Sequence, residues 1–469
     1  MTIVDWISKP KCLQWKKQLP STKTQPTQQK VGANLHNSML YAHATNNNML
    51  VGQFVQQSKT YWSFSYSDEW LAYDSAFPIS LSLPLVKGQC SSFNTLNFIL
   101  NLLPDLKEER LSLAHSVGVQ SNDAFNLLSK IGHDCTGGIS FTESRESPKV
   151  GWKYREISAS ELNELVTQRK SFLPFFGDYR PCISGTQRKT TLTRLNGKWY
   201  VPQEKSLSSH IIKYPMDAIE QSNSILDMSS SVENEFICTQ IAKELGFKVP
   251  DMEIITTESG AKALAVKRFD RCFGDGVVTR RHQEDFCQIF GVPEHQKYQS
   301  ENNLSVSKIV EVLSLSAESK ANNHDFFKFM VFQYFIGATD GHLKNSSVHI
   351  APSGHYQLTP FYDLLSAYPA IGNRGLNKRK LKLAMGLKAS RGYKYHISKI
   401  CLRHVEQTAS QFGINKADCY EIVSDFLSQF SNALSSIDKR FPEKEFTLVK
   451  DAICQHATEI VGKLSRTIK

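Results

Sequence analysis

Asp340, Asn345 and Asp363 are the residues in this chain best suited by type and spacing to do chemistry. In Ala338-Thr339-Asp340-Gly341-His342-Leu343-Lys344-Asn345 the pattern is Asp-x-x-x-x-Asn, set between a strongly apolar run and a short β-like run, Ser347 to Ile350. That spacing suits phosphoryl transfer, with Asp340 accepting the proton of an acceptor hydroxyl and the Asn345 amide oxygen binding magnesium. Tyr356 to Thr359 reads as a strand leading into Pro360-Phe361-Tyr362-Asp363, which supplies a second carboxylate for the metal. Mg²⁺ takes oxygen ligands, so Asn345 and Asp363 would give two, and phosphate and water oxygens the rest. The competing reading is turn chemistry: Asp-Gly and Lys-Asn pairs shape ordinary loops, and Asp340 could simply follow a buried helix. The pattern gains force only with a phosphate-binding turn and an anchoring lysine upstream.

Both have candidates. Tyr179 to Leu192 reads as two β-like flanks around a small polar turn, Ser184-Gly185-Thr186-Gln187-Arg188-Lys189, in which Gly185 lets the backbone approach a phosphate and Lys189 adds charge. It is neither a Walker A loop nor a three-glycine kinase loop, and alone it is no better than a polar hairpin. Gly274-Asp275-Gly276 lacks a third glycine and a following helix, and is set aside. Ser209 to Lys213 reads as a strand ending in a lysine that could grip phosphates, or as an edge strand with a solvated lysine. Ser230-Ser231-Val232-Glu233 resembles a capping box, and apolar Phe236, Ile237, Ile241 and Leu245 recur on one face until Gly246. Glu235, expected in the first turn of this helix, could pair with Lys213 or favour the helix dipole in solvent. Strands Met252 to Thr256 and Ala263 to Val266 lead into Lys267-Arg268-Phe269-Asp270-Arg271, a hinge where adenine would meet backbone atoms and the Phe269 ring.

The elements around these candidates divide by composition. Residues 1–38 are polar and too poor in apolar side chains to fold alone, so an extension, mobile in solution, is expected. Residues 39–150 open with strands at Met49 to Val55 and Tyr61 to Tyr66 and continue into helices at Phe93 to Leu103 and Ala124 to Ile131, the latter closed by Gly132: a small α+β subdomain. Residues 151–270 hold the strands, the polar turn and the Glu235 helix, and residues 271–469 are mainly helical. There Asp325 to Ile336 is apolar on almost every side, and Ala417 to Phe430 and Thr447 to Leu464 are amphipathic.

With 469 residues, 41% of them hydrophobic, the chain can build several cores. No apolar run approaches the ~18 residues of a membrane span, so no membrane partner is expected. The ten cysteines show no zinc spacing or Cys-x-x-Cys pair and read as reduced thiols of a cytoplasmic protein. The net charge of +10 favours acidic partners, nucleotides and nucleic acid among them. The basic clusters at Lys9 to Lys17 and Arg374 to Lys382 lack the aromatic interleaving of a nucleic-acid surface and read as solvated faces.

Taken together, the ordered segments resemble the HipA family of bacterial toxin kinases. They include Leu102 to Asp105, Gly132 to Gly138, Ser184 to Thr190, Ser209 to Lys213, Val232 to Glu235, Ala265 to Arg271, Gln283 to Gln288, Gly337 to Asn345, Leu358 to Asp363 and Leu381 to Gly386. The resemblance covers roughly Met39 to the C-terminus. It implies an α+β, two-lobed protein-kinase-like fold with an N-terminal α+β subdomain and a mainly helical C-lobe, using ATP and Mg²⁺. Carried over residue by residue, it implies that Ser184 to Lys189 form the phosphate loop and Lys213 holds phosphates. Lys267, Arg268 and Phe269 would meet adenine, and His342, Leu343, Lys344 and Tyr362 would lie near the nucleotide. The resemblance further implies phosphorylation of a serine of glutamyl-tRNA synthetase, with arrest of translation, and neutralisation by HipB, a helix-turn-helix antitoxin that binds operator DNA together with the toxin.

Two departures qualify this. The family's autophosphorylated serine falls at Cys182, so self-inactivation is expected to be absent or moved to Ser184, Thr186 or Thr190. The helix around Gln407 to Phe412 lacks the basic residues that related toxins present to DNA, which leaves direct DNA contact open. An alternative function remains: a catalytically silent scaffold that helps an antitoxin hold DNA. The sequence does not decide whether Met1 or Met39 is the physiological start.

Overall fold

In the strand Lys262–Lys267 every second side chain turns to the opposite face. Ala263 and Ala265 enter one core, while Leu264 and Val266 enter another. This strand belongs to a six-stranded sheet whose order is Met252–Thr256, Lys262–Lys267, His210–Lys213, Lys189–Leu195, Lys198–Gln203, Lys153–Glu156. Neighbouring strands run antiparallel throughout. The register sets Lys189 directly opposite Lys213, so two ammonium groups leave one end of the sheet together.

These features come from a computed structural model, which describes residues 38–119, 123–221, 224–274, 277–302, 304–372 and 375–468. The expected polar extension lies outside the described residues except for Ser38, as do the basic cluster at Lys9 to Lys17 and Arg374 of the second cluster. Ser38 opens a four-stranded antiparallel sheet ordered Trp62–Tyr66, Met49–Gln56, Ser38–Ala44, Ile139–Thr142. With the helices Ser92–Leu100, Lys107–Ser116 and Ala124–Ile131 it encloses a core around Phe54, Phe64, Trp70 and Phe98, and Cys182 is the one buried member from outside residues 40–141.

The largest core surrounds the helix Ser319–Ile336, whose Phe326, Phe327, Phe329, Phe332 and Phe335 are fully buried. Around it pack the helices Ser231–Glu244, Leu402–Gln411, Lys416–Arg440 and Lys444–Ile468. Gly337 ends the central helix with φ 65°, a conformation that L side chains resist, and the ring of Tyr368 would lie 2.5 Å from a Cβ there. No helix of the described residues is long and apolar enough to cross a membrane.

Three local expectations are corrected. Only one β-like flank of the polar turn is a strand, Lys189–Leu195; residues 179–183 are irregular and held by burial of Tyr179 and Cys182 rather than by a ladder. The capping box at Ser230 to Glu233 does not form, because Ser230 makes no capping bond and the Ser231 hydroxyl accepts from the Met216 amide at 2.8 Å. Glu233 instead meets Lys262 at 2.9 Å. With Ser231 as the first helical residue, Glu235 stands in the second turn, where its side chain turns inward to Lys213.

Candidate active site

The strand-end lysine is not solvated. Lys213 is buried, and its Nζ donates to Glu235 Oε1 at 2.6 Å and also to Asp363 Oδ1. Burial by itself would lower the Lys213 ammonium, but the two carboxylates outweigh it and hold the group protonated. Asp363 is likewise raised by burial and lowered by Lys213 and Lys189, with a net fall below the ordinary carboxylate range. Its backbone sits at φ 57°, a left-handed conformation unusual for aspartate and of the kind that clusters at functional sites. Lys189, beside Lys213, is lowered by burial and by its like-charged neighbour, and its Nζ donates to the Ser184 carbonyl at 2.7 Å.

That carbonyl belongs to the polar turn. Gly185 adopts φ 106°, and a Cβ there would meet Lys189 Nζ at 2.6 Å, so only glycine leaves the cradle open. Its carbonyl accepts from the Asp105 amide at 3.2 Å, and Gln187 Nε2 donates to the Tyr214 carbonyl at 2.8 Å. Cys182, just before the turn, is buried with its sulfur 3.0 Å from that of Cys135; burial and this contact push its thiol well up.

Opposite lies the loop after the central helix. The Asp340 carbonyl accepts from the His342 amide at 2.9 Å and from Asn345 Nδ2 at 2.8 Å, which turns the Asn345 amide oxygen outward from this bond. Lys344 is buried against Asp105 at 2.6 Å, and Lys297 reaches the same carboxylate at 3.3 Å. Burial lowers His342 to about 4, so its ring is neutral at pH 7 and its 3.6 Å approach to Asp340 is no ion pair.

One cleft, enclosing about 1340 Å³ including space open to solvent, is lined by both sides. Of the residues singled out in the sequence, it gathers Ser184, Gly185, Thr186, Gln187, Lys189, Lys213, Glu235, Lys267, Phe269, Asp340, His342, Lys344, Asn345, Tyr362 and Asp363. Three depart from expectation. Arg188 is exposed and not among the lining residues, and Leu343 is core, its amide bonded to the Lys297 carbonyl at 3.2 Å. Arg268 borders the cleft, but its guanidinium is committed to Asp270 at 3.0 and 3.1 Å and to Asp134 at 3.4 Å, and its amide to the Ser209 carbonyl.

Asp105, Gln283, Asp285, Lys297 and Tyr298 were given no role from sequence, though all but Tyr298 line the cleft. Tyr298 OH donates to Asp340 Oδ1 at 2.5 Å. Asp105 and Tyr298 meet the site through partners distant in sequence, Lys344 and Asp340.

The donor set fits a magnesium nucleotide. Asn345 and Asp363 offer oxygens, and Lys189 and Lys213 offer positive charge. His342 Nδ1 and Gln283 Oε1, both buried and bordering the cleft, have no hydrogen-bond partner among the described residues, as expected of groups that a ligand satisfies.

Two family descriptions match this chain: the HipA N-terminal domain over residues 42–142 and the HipA-like C-terminal domain over residues 182–434. The serine/threonine-protein kinase toxin HipA of Shewanella oneidensis is 33% identical over 320 residues, 64% of this chain and 69% of that protein. A solved complex of HipA, HipB and operator DNA from Shewanella oneidensis superposes with a TM-score of 0.74 at 24% identity, covering 92% of this chain and 99% of its match.

Proposed function

This chain belongs to the HipA family of toxin kinases, and from that premise we propose that it transfers the γ-phosphate of Mg·ATP to a serine of a protein substrate through the Lys213–Asp340 cleft. The observation that carries the reading is the meeting of Lys213, Glu235 and Asp363 across from Asp340 and Asn345 in one cleft. Bound Mg·ATP would supply the phosphoryl group and a divalent charge that neutralises the phosphates. Glu235 would aim Lys213 at those phosphates, and Asn345 and Asp363 would hold the metal ion. Asp340 accepts the acceptor hydroxyl's proton as its oxygen bonds to the γ-phosphorus and the bond to the ADP oxygen breaks. His342, neutral at pH 7, offers Nδ1 without adding charge.

The substrate we propose is glutamyl-tRNA synthetase, and the regulator a HipB-like antitoxin that joins this chain to operator DNA. The family resemblance supports the first, and the partners of the Shewanella oneidensis protein support the second. A thiol is a poor acceptor for a stable phosphate ester, so autophosphorylation should be absent or moved from Cys182 to Ser184, Thr186 or Thr190. Thr186 is the most exposed of the three, whereas Thr190 is buried and donates to the Ser171 carbonyl.

Transfer of labelled γ-phosphate to purified glutamyl-tRNA synthetase tests the proposal. The wild-type chain should transfer and Asp340→Asn should fall by roughly 10²- to 10⁴-fold. ATP binding without transfer would replace the substrate, and absence of both binding and transfer would overturn the kinase reading.

A further inference from the structure

Asp340 stands half exposed at the mouth of the cleft, its side chain 51% accessible. A carboxylate there, on a loop, has no packing to fix its rotation, yet general-base work requires one oxygen aimed at the acceptor hydroxyl. One hydrogen bond to the carboxylate does the fixing: Tyr298 OH donates to Oδ1 at 2.5 Å. Among the described residues no group hydrogen-bonds the other oxygen, Oδ2.

The tyrosine is itself braced. Its ring meets His342 edge to face at 5.2 Å, and the Lys297 ammonium lies 5.9 Å from the ring centroid. The Tyr298 amide donates to Glu301 Oε2 at 3.4 Å. The carbonyl of the preceding residue, Lys297, accepts from the Leu343 amide at 3.2 Å, so the segment is tied to the catalytic loop by backbone as well as by side chain. The Lys297 side chain in turn reaches Asp105 at 3.3 Å. Burial and the neighbouring Asp340 carboxylate push the Tyr298 phenol up, so it remains a donor at any pH the enzyme meets.

We propose that Tyr298 is a positioning residue for the transfer reaction: its hydroxyl occupies Oδ1 of Asp340 and thereby presents Oδ2 to the incoming serine hydroxyl. This deepens the kinase reading and rests on it. Tyr298 is not among the residues that line the cleft, so the loss of its hydroxyl should act on turnover and leave nucleotide binding alone.

Full-length wild type, Tyr298→Phe, Asp340→Asn and the double variant are compared with Mg·ATP and glutamyl-tRNA synthetase, with thermal unfolding followed by circular dichroism. Tyr298→Phe should lower kcat roughly 10- to 100-fold, the worth of one hydrogen bond to a charged group. KM for ATP should stay within about twofold and the melting temperature should be unchanged. In the Asp340→Asn background the same change should cost less than about twofold, because the group it positions is gone. A purely structural role would instead give an equal loss in both backgrounds or a matched rise in KM, and either result overturns the proposal. So would faster transfer by Tyr298→Phe, which would mean that the hydroxyl blocks the acceptor site. Wild-type turnover matched by Tyr298→Phe would remove this role and leave the kinase reading intact, whereas a wild type that neither binds Mg·ATP nor transfers phosphate would remove both.

Discussion

Glu284 is a buried carboxyl whose Oε1 accepts the Leu81 amide at 2.7 Å while Oε2 has no partner among the described residues. Burial pushes it up to about 8. An unfolded glutamate loses its proton near pH ~4.3, so between that value and about 8 the folded chain binds the extra proton. Stability therefore falls as pH rises through this window, by at most about 1.4 kcal/mol per pH unit from this group, and the fall ends above the folded value. Glu284→Gln keeps the shape and removes the titration. Urea midpoints from pH 5 to 9 should decline less steeply in the variant, and parallel curves would show that Glu284 is not the source. Nothing in the Gln283-Glu284-Asp285 run signals this, since the burial comes from pairing with Val348 and from the Ser80 to Leu81 segment, far away in sequence. Asp340 and Asn345 were legible for the opposite reason: their relation is local, fixed by one loop. Lys213 with Glu235 was legible as a strand end followed by a helix. Tyr298 and Asp105 were not, because their partners lie 42 and 239 residues away.

The helix Ser319–Ile336 shows how an element that does not line the cleft shapes it. Its apolar run was readable because aromatic residues on every side have no solvated face to offer, and burial follows. The sequence pattern does not show what the helix supports. Phe329 stacks on Phe361 with centroids 3.9 Å apart, and Phe361, whose amide donates to the Lys248 carbonyl at 2.8 Å, directly precedes Tyr362 and Asp363. The same helix runs through Gly337 into the Asp340 loop, so one rigid rod carries both halves of the reacting constellation. Phe329→Ala should cost about 3–5 kcal/mol of unfolding free energy in urea through the cavity it leaves. It should also weaken Mg·ATP binding, because the left-handed backbone at Asp363 loses its support. Phe329→Leu should do less of both. Calorimetry showing full nucleotide affinity in a destabilised Phe329→Ala would separate the core from the site and refute the link. The failed capping box is the complementary lesson: four residues matched a local motif, but Ser231 had a tertiary partner in Met216, and that contact prevailed.

At the scale of the whole chain, the regions matched by the two family descriptions are joined by charge as much as by apolar packing. Asp134, from the N-terminal region, accepts from Arg268 and Arg271 at 3.4 and 3.1 Å, from Tyr179 at 2.8 Å and from Ser208 at 2.6 Å, all fully or nearly buried. The Asp270 carboxylate accepts from Arg268 at 3.0 Å, from Arg271 at 2.6 Å and from the Gly137 amide at 2.8 Å, and both arginines also donate to the Cys135 carbonyl. Arg280 has neither carboxylate as a hydrogen-bond partner; it donates to the carbonyls of His133, Gly137, Cys135 and Ile139. Burial, with Arg271 nearby, lowers it to about 9. Burial alone would raise Asp134, but the two guanidinium groups bring it down to about 2. The sequence held no sign of this joint, for Asp134 and Arg271 are 137 residues apart and Arg268 read equally well as a nucleotide contact. A buried ion cluster is weak evidence of net stabilisation but strong evidence of what its disruption does, since a charge left unpaired inside costs more than the pair ever gained. Asp134→Asn leaves three guanidinium groups around one carboxylate. It should lose about 3–5 kcal/mol in urea unfolding, with earlier protease cleavage between the regions 42–142 and 182–434. Acid should erode the same contribution progressively as pH falls below ~3.9, where the unfolded aspartate takes up a proton, and complete the loss as pH falls through about 2, the folded value. A variant within about 1 kcal/mol of wild type would assign the joint to the apolar cores instead.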